Sequence, residues 1–217
     1  MYSNQLNYQT FVQFLLFAIA LLNCDAKLVL FLRSQYFCEK KAKKNMRQAE
    51  KSEYPQHKYF SRYIEYSDSQ DVIEMLTKQK EEVLFLMKNL SAEQQKYRYA
   101  EGKWSIQELL GHITDTERIF SYRSVCIARG EKKPLPGFDE NEYMEAANFE
   151  SQPFEDLLEQ YRLVRESSIA LYRSMTEEVA SRMGNANGFA VSARAYAWAI
   201  AGHEAHHLSI IRERYLG

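Results

Sequence analysis

Apolar residues recur at helical spacing along four long stretches of this chain, and polar residues fill the faces between them. The first predicts a helix from about Asp68 to Asn89, with Val72, Ile73, Leu76, Val83, Leu84, Leu86 and Met87 on its apolar side. The second opens at Ser105-Ile106-Gln107-Glu108, a capping-box pattern with Trp104 in the staple position, and runs to about Arg129, where Gly130 supplies a stop. Its apolar face holds Ile106, Leu109, Ile113, Phe120 and Ile127. The third runs from about Pro153, suited to a first turn, to Met175, with a stripe of Phe154, Leu157, Leu158, Tyr161, Val164 and Leu171. The fourth runs from about Ser192 to Tyr215. Ser91-Ala92-Glu93-Gln94 is a second capping box that opens a short turn, and the polar, aromatic stretch Met46–Tyr66 reads as a strap over the domain.

Four helices of about 22–25 residues are each about 35 Å long, and matched lengths suit a four-helix bundle. The connection Glu131–Gln152, with Pro134, Pro136 and Gly137, is long enough to cross the bundle, which lets the second and third helices run parallel. The expected topology is up-down-down-up. Gly and Pro are scarce and alternating strand patterns nearly absent, so the fold class is all-α.

Residues 1–45 differ from the rest. Phe11–Leu22 and Leu28–Leu32 are apolar, and Lys40-Lys41-Ala42-Lys43-Lys44 is a basic block. A signal peptide needs positive charge before the apolar run, and none is there. Leu21-Leu22-Asn23-Cys24 resembles a lipoprotein cleavage box with Asn23 where a small residue is expected. A span from Phe11 to Leu32 would carry Asp25 and Lys27, each costing about 2.5–3.5 kcal/mol near the helix centre. The remaining reading is a mis-assigned start, with the native protein beginning at Met46. The expected organisation is an N-terminal extension over 1–45 and a helical domain over 46–217. The protein is expected in the cytoplasm, tethered to a membrane only if 1–45 is expressed and retained.

A hydrophobic fraction of 46% in 217 residues is enough for a real core, and a net charge of −1 argues against nucleic-acid binding by bulk charge. Cys24, Cys38 and Cys126 have no CxxC spacing, so neither a disulfide framework nor a thiolate zinc site is expected.

The chemistry lies in the histidines. His203 and His207, four residues apart, share one helical face within the stripe Tyr196, Ile200, His203, His207 and Ile211. His112 falls at the edge of the second helix's apolar face. Two imidazoles on an apolar stripe each need a partner for a polar ring nitrogen, and a divalent metal satisfies both, with His112 as third ligand and open positions left over. His206 is placed beside this set, and His57, in the strap, carries no role. Asp115, Glu117, Arg123 and Arg194 could orient an imidazole or hold an anionic substrate, each with an ion pair as its ordinary alternative. His203-Glu204-Ala205-His206-His207 also matches the zinc-peptidase pattern, with Glu204 as base. That reading is disfavoured, because the chain runs only ten residues past His207 and no strand pattern precedes the motif to align a peptide.

Gly102-Lys103-Trp104-Ser105-Ile106-Gln107-Glu108-Leu109-Leu110-Gly111-His112, with Asp115-Thr116-Glu117-Arg118, resembles the DinB-like superfamily. So do Leu135-Pro136-Gly137-Phe138-Asp139 and the ending Ala201-Gly202-His203-Glu204-Ala205-His206-His207 with Glu213-Arg214-Tyr215-Leu216. The resemblance covers about Met46 to Gly217 and leaves 1–45 as a non-family extension. It implies an up-down-down-up bundle with one divalent ion, zinc or nickel, on His112, His203 and His207. It also implies an activity of the kind seen in relatives that use a low-molecular-weight thiol as cosubstrate. Such a site lowers the pKa of a bound thiol or water. The leading expectation is a metal-dependent transferase that joins the thiol to a small-molecule electrophile. The alternatives are a metal-dependent hydrolase and a non-catalytic metal-stabilised bundle acting by dimerisation or partner binding. Tyr59, Phe60 and Tyr63, read as exposed, would suit a homodimer contact.

Overall fold

The computed structural model describes residues 46–56, 60–66 and 71–217. The expectations for residues 1–45, His57, Tyr59 and Asp68 lie outside the described residues.

Four helices form the bundle. Helix α1, Val72–Lys88, starts at Asp71, whose carboxylate accepts the Ile73 N–H at 3.0 Å. Helix α2, Ile106–Ala128, is opened by the Ser105 box: Ser105 Oγ accepts the Glu108 N–H, and the Glu108 carboxylate accepts the Ser105 N–H. Glu108 also pairs with Arg98. Helix α3, Phe154–Ser174, follows Pro153, and α4, Ala193–Ile210, continues as a π-helical turn over Ile211–Tyr215. The Ser91 capping box also forms.

Side-chain pairs fix the directions. From His112 through Phe120 to Ser124, α2 meets His203, then Tyr196, then the Ala193 carbonyl of α4, so these two run antiparallel. Arg118–Gln160 and Ser121–Ser168 make α2 and α3 parallel. Gln79 to the Ala201 carbonyl and Arg212 to Glu82 make α1 and α4 parallel. The result is up-down-down-up.

Along α4, residues 193–204 are buried on every side. The short helix Phe60–Glu65 packs along α4 and contributes to this burial, together with the segment around Arg47, whose carbonyl accepts the Trp198 indole N–H. A Cβ at Gly202 would stand 1.8 Å from the Tyr63 carbonyl oxygen, so glycine beside His203 is what admits this helix. Phe60 and Tyr63 are accordingly half-buried rather than exposed.

Two further expectations are corrected. The α3 stripe passes not through Val164 and Leu171, which are half-buried, but through Arg165, Ser168, Ile169 and Tyr172. The bundle also carries a hairpin, β1 Met183–Ala186 and β2 Phe189–Ser192. Its turn, Asn187-Gly188, has φ of 52° and 82°, the conformation this dipeptide favours in two-residue hairpins. Leu135 hydrogen-bonds both Asn185 and Asn187, which pins the crossover Glu131–Gln152 to the hairpin. Among the described residues no helix is long and apolar enough to cross a membrane.

Candidate metal centre

Helix geometry brings His112, His203 and His207 together. The four-residue spacing stacks His203 and His207 on α4, and antiparallel packing sets His112, in the second turn of α2, opposite them. The Nε2 of His203 lies 3.1 Å from the Nε2 of His112 and 3.1 Å from that of His207. All three rings are buried, with exposures of 5%, 5% and 9% for His112, His203 and His207. Trp104 packs against His112 at 4.9 Å between ring centroids, and Tyr63 meets His203 edge-on at 5.3 Å. No other group of three or more His, Cys, Asp or Glu with converging donor atoms occurs among the described residues.

Burial holds all three imidazoles neutral. It lowers His112 to about 4. It also lowers His203, with the neighbouring His207, His112 and His206 adding to the effect, and lowers His207, with His112 and His206 adding to it. A neutral imidazole is the metal-binding form.

The donor set fits a divalent ion. His203 Nε2 is in reach of two other ring nitrogens, yet it either donates a single N–H or accepts on a single lone pair, and so makes one good hydrogen bond. In any arrangement of protons, at least one pair of nitrogens then faces each other without a good hydrogen bond. A cation between them removes that conflict. Ligands about 2.0–2.1 Å from a tetrahedral ion stand about 3.3 Å apart, close to the observed separations. The Nδ1 of His207 is buried without a protein partner.

The three histidines line a cavity of about 600 Å³. Phe60, Tyr63, Trp104 and Phe120 contribute aromatic wall near them, and Thr116, Arg123, Tyr196 and Asn187 contribute polar groups. Phe138 and the hairpin residues Ala186, Asn187, Phe189 and Val191 complete the lining; the hairpin was not assigned to the site from the sequence, although Asn187-Gly188 is a hairpin signal.

The residues singled out beside the ligands are dispersed. His206 lines the cavity and stacks near Tyr63. Arg123 also lines it, with Nη2 donating to the Pro136 carbonyl at 2.6 Å. Asp115 pairs with Arg118 near the surface. Arg194 is buried against Glu53 and Glu177. Glu117 joins a buried cluster with Arg165, Glu204 and Tyr161. Glu204 therefore faces the bundle interior, bound by Arg165 and the Tyr161 hydroxyl, and is not part of the cavity wall, which removes the base that the zinc-peptidase reading requires.

Arg165 had no counterpart in the sequence reading. Its guanidinium reaches Glu117 on α2, Glu204 on α4 and the Leu76 carbonyl on α1, so one α3 side chain ties all four helices behind the histidines. Burial alone would lower its pKa, and the fields of Glu117 and Glu204 overturn this and hold it above the ordinary value.

Residues 75–211 match a family model described as the DinB superfamily. Among solved structures the chain is similar to YfiT from Bacillus subtilis, described as a probable metal-dependent hydrolase with an unusual four-helix bundle topology. The TM-score is 0.61 at 18% identity, over 68% of this chain and 86% of that one. It is also similar to a mycothiol-dependent maleylpyruvate isomerase, with a TM-score of 0.54 at 16% identity over 64% of this chain and 58% of that one. At such identities the likeness is one of fold. No curated protein matches the chain.

Proposed function

We propose a function that proceeds from one fact: the chain belongs to the DinB superfamily. In this reading His112, His203 and His207 hold one divalent ion, zinc or nickel, and the protein is a transferase that couples a low-molecular-weight thiol to a small electrophile in the cytoplasm. The observation that carries it is the meeting of three buried, neutral imidazoles in the wall of a cavity of about 600 Å³ whose lining contains no cysteine, serine or lysine among the described residues. In this reading the nucleophile is the thiol, brought from outside the protein. An ion on three imidazoles, when bound, supplies the Lewis acidity that makes a thiol or water nucleophilic at neutral pH.

The chain's own residues do the rest. Trp104, Tyr63 and Phe120 pack around the imidazoles and hold their ring orientations. Their aromatic surface keeps bulk water from the reacting groups. A cavity of this volume accommodates a small thiol and an electrophile of similar size. A second reading, hydrolysis, is favoured by the description of YfiT as a probable metal-dependent hydrolase.

The test uses 1-chloro-2,4-dinitrobenzene with and without glutathione, mycothiol or bacillithiol, on native, chelated and His203→Ala protein. Thiol-dependent product that disappears on chelation and in His203→Ala supports the transferase. Chloride release at an equal rate without thiol, with 2,4-dinitrophenol as the product, supports the hydrolase. Full activity after chelation overturns both.

A further inference from the structure

Among the described residues three arginines are buried, and they differ in one respect. Arg165 meets Glu117 and Glu204, and Arg194 meets Glu53 and Glu177. Arg123 is 6% exposed and, among the described residues, has no carboxylate within ion-pair distance. It is also the one of the three that lines the cavity. Burying an unpaired guanidinium is unfavourable, and such a group is satisfied when an anion reaches it.

We infer that Arg123 is the anchor for a carboxylate on a substrate that occupies this cavity. The inference rests on reading the cavity as a substrate site, but not on the metal. Arg123 lies eleven residues beyond His112, which places it about 20° from His112 around α2 and about 16 Å along it, on the same face. Its side chain leans back toward the helix N-terminus, and so toward the histidines. Across from it on α4, Tyr196 lies seven residues before His203, about 10 Å along the axis and on the same stripe. The Arg123 and Tyr196 side chains thus bound one end of the cavity and the imidazoles another.

The guanidinium has donors to spare. It carries five N–H groups; Nη2 serves the Pro136 carbonyl, another donor is engaged by the Tyr196 hydroxyl, and the flat face lies 5.5 Å from the Phe138 ring centroid. That leaves capacity for the two-point contact by which arginine recognises a planar carboxylate. Between the two ends stands Thr116, one turn beyond His112, 3% exposed, with a buried hydroxyl that has no protein partner. Asp139 and Glu140 also line the cavity but are exposed, and Asp139 is engaged by the N–H groups of Asn141 and Glu142. The buried part of the wall therefore presents positive charge and aromatic surface. It fits a small apolar or aromatic acid with its carboxylate on Arg123 and its other end at the imidazoles.

The carboxylate could be carried by the electrophile or by the thiol, and two arms of one experiment separate these. Calorimetric titration of the full chain, both as purified and after chelation, compares 3-phenylpropionate with 3-phenylpropionamide, and glutathione with its diethyl ester. The acid is expected to bind about tenfold or more tightly than its neutral counterpart in at least one arm, before and after chelation. Preference in the first arm assigns the carboxylate to the electrophile; preference only in the second assigns it to the thiol. In Arg123→Gln the preference should collapse to about twofold or less. In Arg123→Lys, which keeps the charge but not the fork, it should fall several-fold, and this variant carries the test if the glutamine form does not fold. Absence of preference in both arms, preference undiminished in the variants, or preference that vanishes on chelation would overturn the proposal. Because the chelated protein is tested too, failure of the metal reading leaves this result interpretable.

Discussion

Replacing Arg165 with methionine removes the cation from a cluster in which two carboxylates and a phenol are sealed from solvent. Arg165, Glu117 and Glu204 have side-chain exposures of 0%, 2% and 0%. The guanidinium makes charge-assisted bonds of 2.7–3.1 Å to both carboxylates and one to the Leu76 carbonyl. Without it two negative groups face each other in a dry interior, and one must take up a proton, which limits the loss to that of breaking a buried pair, about 3–5 kcal/mol. Against a total stability of about 5–15 kcal/mol this is a large fraction, and it lowers the melting temperature by about 10 °C in a domain of this size. Glu117→Gln should cost much less, because it leaves Arg165 paired with Glu204 and reduces the cluster's formal charge from −1 to zero. Urea denaturation of the wild type and both variants measures the difference. A loss below about 1 kcal/mol for Arg165→Met, or a larger loss for Glu117→Gln, would refute the view that this guanidinium is what ties the four helices together.

Chelated protein should lose stability on acidification. The folded state keeps His112 neutral down to about 4, and His203 and His207 are lowered as well, while the unfolded chain takes up protons below about 6.5. Stability is complete above about 6.5 and falls toward 4, by about 3 kcal/mol for His112 alone, so flat denaturation midpoints across this range would contradict the burial argument. Gly202→Ala drives a methyl group into the Tyr63 carbonyl, displacing the short helix Phe60–Glu65 from α4; a loss of about 1–3 kcal/mol is expected, and an unchanged melting curve would count against that close approach. Cys126→Ser should leave metal content and any thiol-dependent activity intact, because Cys126 is not in the cavity wall; loss of either would require a different site.

Much of the bundle is legible because its signals are local. The Ser105 and Ser91 capping boxes form as their sequences indicate, and the apolar face of α2 is the buried one. The spacing of His203 and His207 is a property of a single helix, and the placement of His112 needed only one further fact, the antiparallel packing of α2 on α4. What was not legible depends on partners distant in sequence. Arg165 sits one turn beyond Tyr161 on the buried stripe of α3, but a lone arginine in a helix reads as solvent-facing until Glu117 and Glu204 are placed around it. For the same reason the stripe appeared to pass through Val164 and Leu171. Arg123 shows the converse: its position on the His112 face of α2 is plain from the sequence, yet its lack of a carboxylate partner is visible only in the assembled structure. The hairpin did have a local signal in Asn187-Gly188, outweighed by the helical character of everything around it.

The most direct test of a metal site is elemental analysis of the purified protein beside a His112→Ala, His203→Ala, His207→Ala triple variant, with circular dichroism to show that both are helical. About one equivalent of zinc, nickel or a related divalent ion in the wild type, absent from a folded triple variant, is the predicted result. No metal in the wild type after zinc and nickel have each been offered, or equal metal in both proteins, would contradict it.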